Sequence, residues 1–172
     1  MRAAVVTVSD RSFRGERPDV SGPVLKQLLE GAGAEVAEAL VVPDDPSVIA
    51  QALVRLTDEV RCELVFTTGG TGLSPRDTTP EATRQVIDKE LLGMALAIHQ
   101  ESLQKTPFAM LSRGIVGVRG QALILNFPGS PKAVKECFAV VEPVLAHAVK
   151  LLRDQNPYTD ADHTCRPPRS LS

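Results

Sequence analysis

Strand-like apolar runs alternate with helical segments along this chain, and four of the helices open on a proline. These starts are Gly22-Pro23, Asp45-Pro46, Thr79-Pro80 and Ser130-Pro131. Proline is preorganised for helix entry and has no amide to leave unbonded there. Two apolar runs, Glu35 to Val42 and Gln121 to Phe127, lead almost directly into such a start, and Glu63 to Thr68 reaches one through a glycine-rich turn and an Asp-bearing loop. A fourth, Ala3 to Val8, reaches its helix through a polar loop from Ser9 to Ser21. All four read as buried strands. Alternating strands and helices predict a three-layer α/β/α fold with a mainly parallel sheet and right-handed crossovers. In such a sheet the four joins share the carboxyl edge of the strands, where open α/β sheets bind ligands. Ser9, Asp10, Asp44, the glycine-rich turn after Thr68, Asp77 and the Pro128-Gly129-Ser130 turn are then neighbours in space.

The remaining elements are placed by periodicity and stop signals. The first long helix begins near Gly22-Pro23 and ends at Gly31 and Gly33, residues that favour helix termination. Val48, Ile49, Ala52, Leu53 and Leu56 keep a helical spacing from Asp45-Pro46 down to about Val60. Helices are expected over residues 80 to 88, 91 to 103 and 131 to 153, and a short strand over Phe108 to Leu111. At 172 residues the chain fits one domain, residues 1–154, followed by a peripheral tail, 155–172, rich in Pro, Asp, Arg and Thr without an apolar period.

Composition narrows the function classes. A net charge of −2 and 3% aromatic residues give no basic stripe interleaved with aromatics, so no nucleic-acid partner is expected. The apolar start MRAAVVTV ends at Ser9-Asp10, too short for a signal peptide or a membrane span, and a cytoplasmic protein without membrane contact is expected. Cys62, Cys137 and Cys165 are odd in number and lack CxxC spacing, which argues against a disulfide framework or a zinc site. Cys62 and Cys137 read as buried small hydrophobes. His163 stands near Cys165 in the tail, and His99 and His147 fall in helical patterns without a nucleophile signature.

The segment ELVFTTGGTGLSPRDTTPEAT, residues 63 to 83, has the layout of an anion site. Gly69, Gly70 and Gly72 free the backbone to turn and to bring N–H groups close to a ligand. Thr78 and Glu81 are spaced as a capping box, which leaves the helix N-terminus and its dipole facing the loop. Asp77 lies between the turn and the helix. A carboxylate beside a phosphate site favours an intervening cation, so Asp77 reads as a ligand for a hard metal such as Mg²⁺. The segment has no Lys-Ser/Thr after its last glycine and no GxGxxG spacing, which excludes the Walker A and dinucleotide fingerprints. A plain strand-to-helix turn remains the alternative.

Six stretches together resemble the molybdenum-cofactor biosynthesis family (MoaB/Mog), which includes molybdopterin adenylyltransferase and the N-terminal domain of gephyrin. They are VTVSD at 6 to 10, VPDD at 42 to 45, TTGGTGLSPRDTTPEAT at 67 to 83, TPFAMLSR at 106 to 113, GVRG at 117 to 120 and LILNFPGSPKAVKEC at 123 to 137. The resemblance covers about residues 2 to 153. GMALA at 93 to 97 looks like the gephyrin-type branch, many bacterial relatives having Glu at the position of Leu96. Leu92 departs from the Pro usual before that glycine. Both departures fall at a join between helices and bear on pocket shape.

The resemblance implies a homotrimer that uses ATP and Mg²⁺ to adenylylate molybdopterin, with release of pyrophosphate. It carries the family's two functional acidic positions onto Asp44 and Asp77, as catalytic and metal-holding groups. Thr68, Gly69, Gly70, Thr71 and Gly72 would wrap phosphate, and Ser9 and Asp10 would close the pocket. Ser112 and Arg113 are candidates for the pterin phosphate or ring, and Pro128, Gly129 and Ser130 for substrate contact, although Ser130 also suits a plain helix cap and Asp44 could support the cap at Asp45. A transient contact with the molybdenum-inserting enzyme is a further expectation. The rival reading is a non-catalytic molybdopterin-binding or scaffold protein of the same fold, and retention of both Asp44 and Asp77 argues for the enzyme.

Overall fold

The computed structural model describes residues 1–153. Six strands form one sheet in the order β2-β1-β3-β6-β5-β4. β1 (Arg2–Val8), β2 (Glu35–Val42), β3 (Leu64–Thr68) and β6 (Ala122–Phe127) run parallel. β5 (Val116–Arg119) pairs antiparallel with β6 through a tight turn at Gly120, and the two-residue β4 (Lys89–Glu90) closes that edge. The sheet is therefore mixed but mostly parallel, as the strand and helix alternation requires.

Helices cover both faces, and residue alternation along the strands decides which side chains meet which helix. Ala3 and Val5 of β1, Leu64 and Phe66 of β3, and Leu123, Leu125 and Phe127 of β6 pack under α2 (Ser21–Gly31), α5 (Leu92–Lys105) and α6 (Pro131–Leu152). The intervening residues Ala4, Val6, Val65 and Ile124 face α3 (Pro46–Val54) and α4 (Thr79–Val86). Phe66 anchors the first layer, meeting Phe127 edge-on at 5.2 Å between ring centroids and Phe138 of α6 at 6.0 Å. Cys62 and Cys137 are buried free thiols, pushed above their ordinary pKa chiefly by that burial, which makes them inert packing groups. The expectations placed on His163, Cys165 and the tail lie outside the described residues.

Several elements differ from their sequence reading. Residues 107–111 form a 3₁₀ helix instead of a strand, because Pro107 sits at its first position and the Thr106 hydroxyl accepts from the Phe108 N–H as a cap. GVRG supplies most of β5, which pattern reading left unassigned; Gly117 lies against Ile87, where a side chain would not fit. The helix after Asp45 widens into a π turn at Arg55–Glu59, where the Thr57 hydroxyl donates to the carbonyls of Leu53 and Val54. A single helical turn, α1 (Asp10–Phe13), opens the loop predicted to be irregular, capped by Ser9. Among the described residues, no helix is long and apolar enough to cross a membrane.

Candidate active site

The four parallel strands deliver their following turns to one edge in sheet order, not chain order: Asp44 after β2, Ser9 and Asp10 after β1, the glycine turn after β3, and Pro128-Gly129-Ser130 after β6. Three cavities line this edge. One of about 320 Å³ is bounded by Ser9, Asp10, Asp44, Ser74, Arg76 and Asp77. A second, about 170 Å³, shares Ser9 and is closed by Thr68, Gly69, Asp19 and Gly129. A third, about 280 Å³, runs from Ser112, Pro128 and Ser130 under α5 to His99 and Ser102. A groove of about 980 Å³ between α5 and α6 is larger, but it contains neither the acidic pair nor the glycine turn.

Asp44 and Asp10 are locked reciprocally. The Asp10 N–H donates to Asp44 Oδ2 at 2.7 Å, and the Asp44 N–H donates to Asp10 Oδ1 at 3.0 Å. The pair ties β1 to β2 just beyond their last strand residues. The cap of α3 is made by Asp45, which accepts from the N–H groups of Ser47 and Val48, and the Asp44 carboxylate is engaged by Asp10 instead of supporting that cap. Burial pushes the Asp44 carboxyl above its ordinary value. The neighbouring carboxylates of Asp10 and Asp77 add to that effect, against the N–H bond from Asp10 and the charge of Arg76. Asp77 reaches the same cavity from the other side, with Oδ2 held at 2.9 Å by the Ser74 N–H. Two carboxylates facing one cavity from separate turns, each with one oxygen engaged by a backbone N–H, suit a hard cation completed by phosphate oxygens. Among the described residues no group of three or more His, Cys, Asp or Glu is gathered to hold a metal ion by itself.

Glycine is obligatory at two positions of the adjacent turn. Gly69 and Gly70 have φ of 103° and 64°, and a Cβ at Gly69 would run into the Val8 carbonyl oxygen. The Gly69 N–H is engaged by the Phe127 carbonyl, so this residue shapes the turn and its amide is not offered to a ligand. The N–H groups of Gly70, Thr71 and Gly72 have no protein acceptor among the described residues. These three amides are left available to a ligand. Thr68 is oriented by donating its hydroxyl to the Pro128 carbonyl at 2.8 Å, which fixes the glycine turn against the Pro128-Gly129-Ser130 turn.

The capping box expected at Thr78 and Glu81 is absent. Thr78 makes no side-chain cap, and its Oγ1 and Glu81 Oε2 are buried without a hydrogen-bond partner among the described residues. Glu81 instead pairs with Arg113, because a guanidinium is a stronger donor to a carboxylate than a neutral amide. The start of α4 also docks on the glycine turn instead of opening toward a ligand: the Thr79 N–H donates to the Gly70 carbonyl and its hydroxyl to the Gly69 carbonyl. Arg113 was a candidate for a direct substrate contact. Its guanidinium is committed to Glu81 and to the carbonyls of Gly72 and Asp77, and its N–H to the Thr71 carbonyl, so it braces the loop that carries Asp77. Ser112 lines the third cavity, and Ser130 caps α6 by accepting from the Ala133 N–H at 3.2 Å.

Sequence reading missed two supports of the site. Asn126 is buried and donates to the hydroxyls of Thr67 and Thr83 at 3.1 and 2.9 Å, while its carbonyl oxygen accepts from the Ile115 N–H. A lone Asn interrupting the apolar run LILNF was the available signal. Asp19 accepts from the N–H groups of Ser21 and Gly22 and from the Thr7 hydroxyl, fastening the start of α2 to the end of β1. Leu92 and Leu96, by contrast, stand on the exposed side of α5 and line none of the three cavities, so these departures alter a surface and not the pocket.

The sheet is that of an open α/β protein, with an acidic pair and a glycine turn at its carboxyl edge. Residues 4–147 match the family of the probable molybdopterin binding domain, and the chain belongs to that family. It is 41% identical over 151 residues to the molybdopterin adenylyltransferase of Escherichia coli K12, covering 87% of this chain and 77% of that one. Identity to the molybdenum cofactor synthesis protein cinnamon of Drosophila melanogaster is 45% over 151 residues, 87% of this chain, and the chain spans only 25% of that longer protein. The crystal structure of the molybdopterin biosynthesis enzyme MoaB from Thermus thermophilus superposes with a TM-score of 0.84 at 48% identity, covering 89% of this chain and 96% of that one.

Proposed function

We propose that this chain is a molybdopterin adenylyltransferase, transferring AMP from ATP to the terminal phosphate of molybdopterin and releasing pyrophosphate during molybdenum-cofactor biosynthesis. The observation that carries the reading is the meeting of Asp44 and Asp77, from two separate turns, in one cavity, with Gly72 of the glycine turn lying against the Asp77 carboxylate. The relatives named molybdopterin adenylyltransferase support it.

The chemistry makes modest demands on acid or base. A bond forms between a molybdopterin phosphate oxygen and the α-phosphorus of ATP, and the α–β bridging bond breaks, with its electron pair leaving on pyrophosphate. The nucleophile is already an anion near neutral pH, so no strong general base is required. The protein must align two repelling anions and offset charge that shifts onto the leaving group. Gly70, Thr71 and Gly72 present N–H donors to phosphate oxygens. Asp44 and Asp77 would hold Mg²⁺, which supplies charge neutralisation at the α-phosphate and the departing pyrophosphate. Arg113 keeps the Asp77 loop in place from behind. Thr68, Pro128 and Gly129 shape the floor between the cavities, and Ser9, Ser112 and Ser130 offer short polar groups to the pterin.

A homotrimer belongs to the same reading. Leu92, Leu96, Phe108, Met110 and Leu111 leave an apolar face on α5 and the 3₁₀ helix, with Phe108 76% and Met110 71% exposed. Closed cyclic assembly is a common way to cover such a face. A cytoplasmic location follows from ATP as a substrate, and hand-over of the adenylylated product implies a transient contact with the molybdenum-inserting enzyme. The deciding experiment incubates the purified protein with molybdopterin, ATP and Mg²⁺ and measures pyrophosphate together with an AMP adduct of the pterin. Tight molybdopterin binding without either product would make the chain a binding or scaffold protein.

A further inference from the structure

Asp10 lines the cavity proposed for the polyphosphate together with Asp44 and Asp77, and Arg76, Arg11 and Arg14 share its wall. The three arginines are not equivalent. Arg14 is bound through two nitrogens to Glu16, at 2.6 and 3.1 Å, and stands 3.9 Å from Asp10. Arg76 makes a direct ion pair with Asp10, whose carboxylate side chain is only 12% exposed, while the Arg76 side chain itself is 67% exposed. Arg76 also directly precedes Asp77 in the loop whose ends are fixed by Arg113 and by the Ser74 and Asp77 turn.

We propose that Arg76 is the exchangeable counter-cation of this acidic cavity: it neutralises Asp10 when the site is empty and transfers its guanidinium to the polyphosphate when a divalent cation and ATP enter. The inference rests on the adenylyltransferase reading and assigns the residue that grips the leaving pyrophosphate. The exchange is balanced by the ions that enter. Only the Arg76 end of the pair is exposed, so Arg76 regains water on release, while the carboxylate of Asp10 needs the incoming cation to take the place of the guanidinium. A polyphosphate offers the guanidinium two oxygens in the forked geometry it matches best, and the incoming cation takes over neutralisation of the carboxylates. Because the backbone N–H groups of Asp10 and Asp44 continue to hold each other's carboxylates, the cavity wall survives the departure of Arg76. No covalent bond changes; only the partner of one guanidinium does.

The proposal predicts effects of opposite sign from a single substitution, which a merely structural role would not produce. Arg76→Gln removes a competing cation, so Mg²⁺ alone, titrated calorimetrically in the absence of nucleotide, binds several-fold more tightly than to the unaltered protein. The same variant binds Mg²⁺-pyrophosphate about tenfold more weakly, the effect of one lost charge-assisted contact, and Arg76→Lys recovers part of that loss. Mg²⁺ affinity that is unchanged or weaker in Arg76→Gln, or unchanged pyrophosphate affinity, overturns the proposal. Asp77→Asn is measured alongside. If it abolishes Mg²⁺-pyrophosphate binding while Arg76→Gln changes nothing, the adenylyltransferase site stands and the Arg76 role falls. If the unaltered protein binds no Mg²⁺-pyrophosphate, both fall together.

Discussion

At the scale of single residues, charge and shape separate at Asp77 and Asp44. Asp77→Asn retains an oxygen for the Ser74 N–H and removes the charge, so the melting temperature changes little while AMP transfer is lost; normal turnover by this variant would remove Asp77 from the metal role. Asp44 carries a further signature. Its carboxyl titrates above the ordinary range, so the fold favours the neutral acid, and that contribution is complete below the ordinary carboxyl pKa and lost as pH rises through the raised value. In metal-free protein Asp44→Asn should therefore melt higher than the unaltered chain at neutral pH, with the difference vanishing in acid. A variant less stable at neutral pH would show that its hydrogen bonds outweigh its buried charge. Glycines in one turn also differ. Gly70→Ala meets a positive φ and the Thr79 side chain and should lose stability first, whereas an alanine Cβ at Gly72 stands 2.9 Å from Asp77 Oδ2 and should displace that carboxylate at little cost in melting temperature. Measuring melting and Mg²⁺-pyrophosphate affinity on both variants separates the two effects.

Among the elements, α4 is positioned by contacts remote in sequence. Asn126 on β6 links β3 and α4 through Thr67 and Thr83, and Arg113 links the approach to β5 with the loop and the first turn of α4. Asn126→Ala leaves two buried hydroxyls and the Ile115 N–H without their partner, a loss of about 1–3 kcal/mol for each group stranded in the interior. Chemical denaturation should show a clear loss of stability, accompanied by weaker nucleotide binding because the glycine turn rests on this junction. Stability equal to the unaltered chain would mean that water replaces the amide there. The capping box fails for the same reason that the brace exists: a local Thr and Glu spacing cannot show that an arginine 32 residues further along takes the carboxylate.

For the whole molecule, the exposed apolar face of α5 and the 3₁₀ helix is the feature that a lone chain leaves unexplained. Sedimentation should give three times the 18.4 kDa chain mass, and Met110→Asp should shift that population toward the monomer. A stable monomer at micromolar concentration would rule out the trimer.

Strand and helix alternation, read with the proline-led helix starts, was sufficient for the three-layer fold, the four parallel strands and the edge on which the site lies. These follow from short-range properties: which residues bury, which backbones bend, and where the amide is dispensable. The meeting of Asp44 and Asp77 at one edge, expected from the order of the turns, is what the structure has. What sequence could not decide was which donor meets which acceptor. That Asp10 and Asp44 clasp each other, that the Gly69 amide is taken by Phe127 while those of Gly70 to Gly72 meet no protein acceptor among the described residues, and that Arg113 braces the loop all depend on groups dozens of residues apart. Pattern and propensity act within a few residues, whereas hydrogen bonds and ion pairs are chosen among whatever the packed sheet brings within about 3 Å. Only the tertiary structure makes that choice.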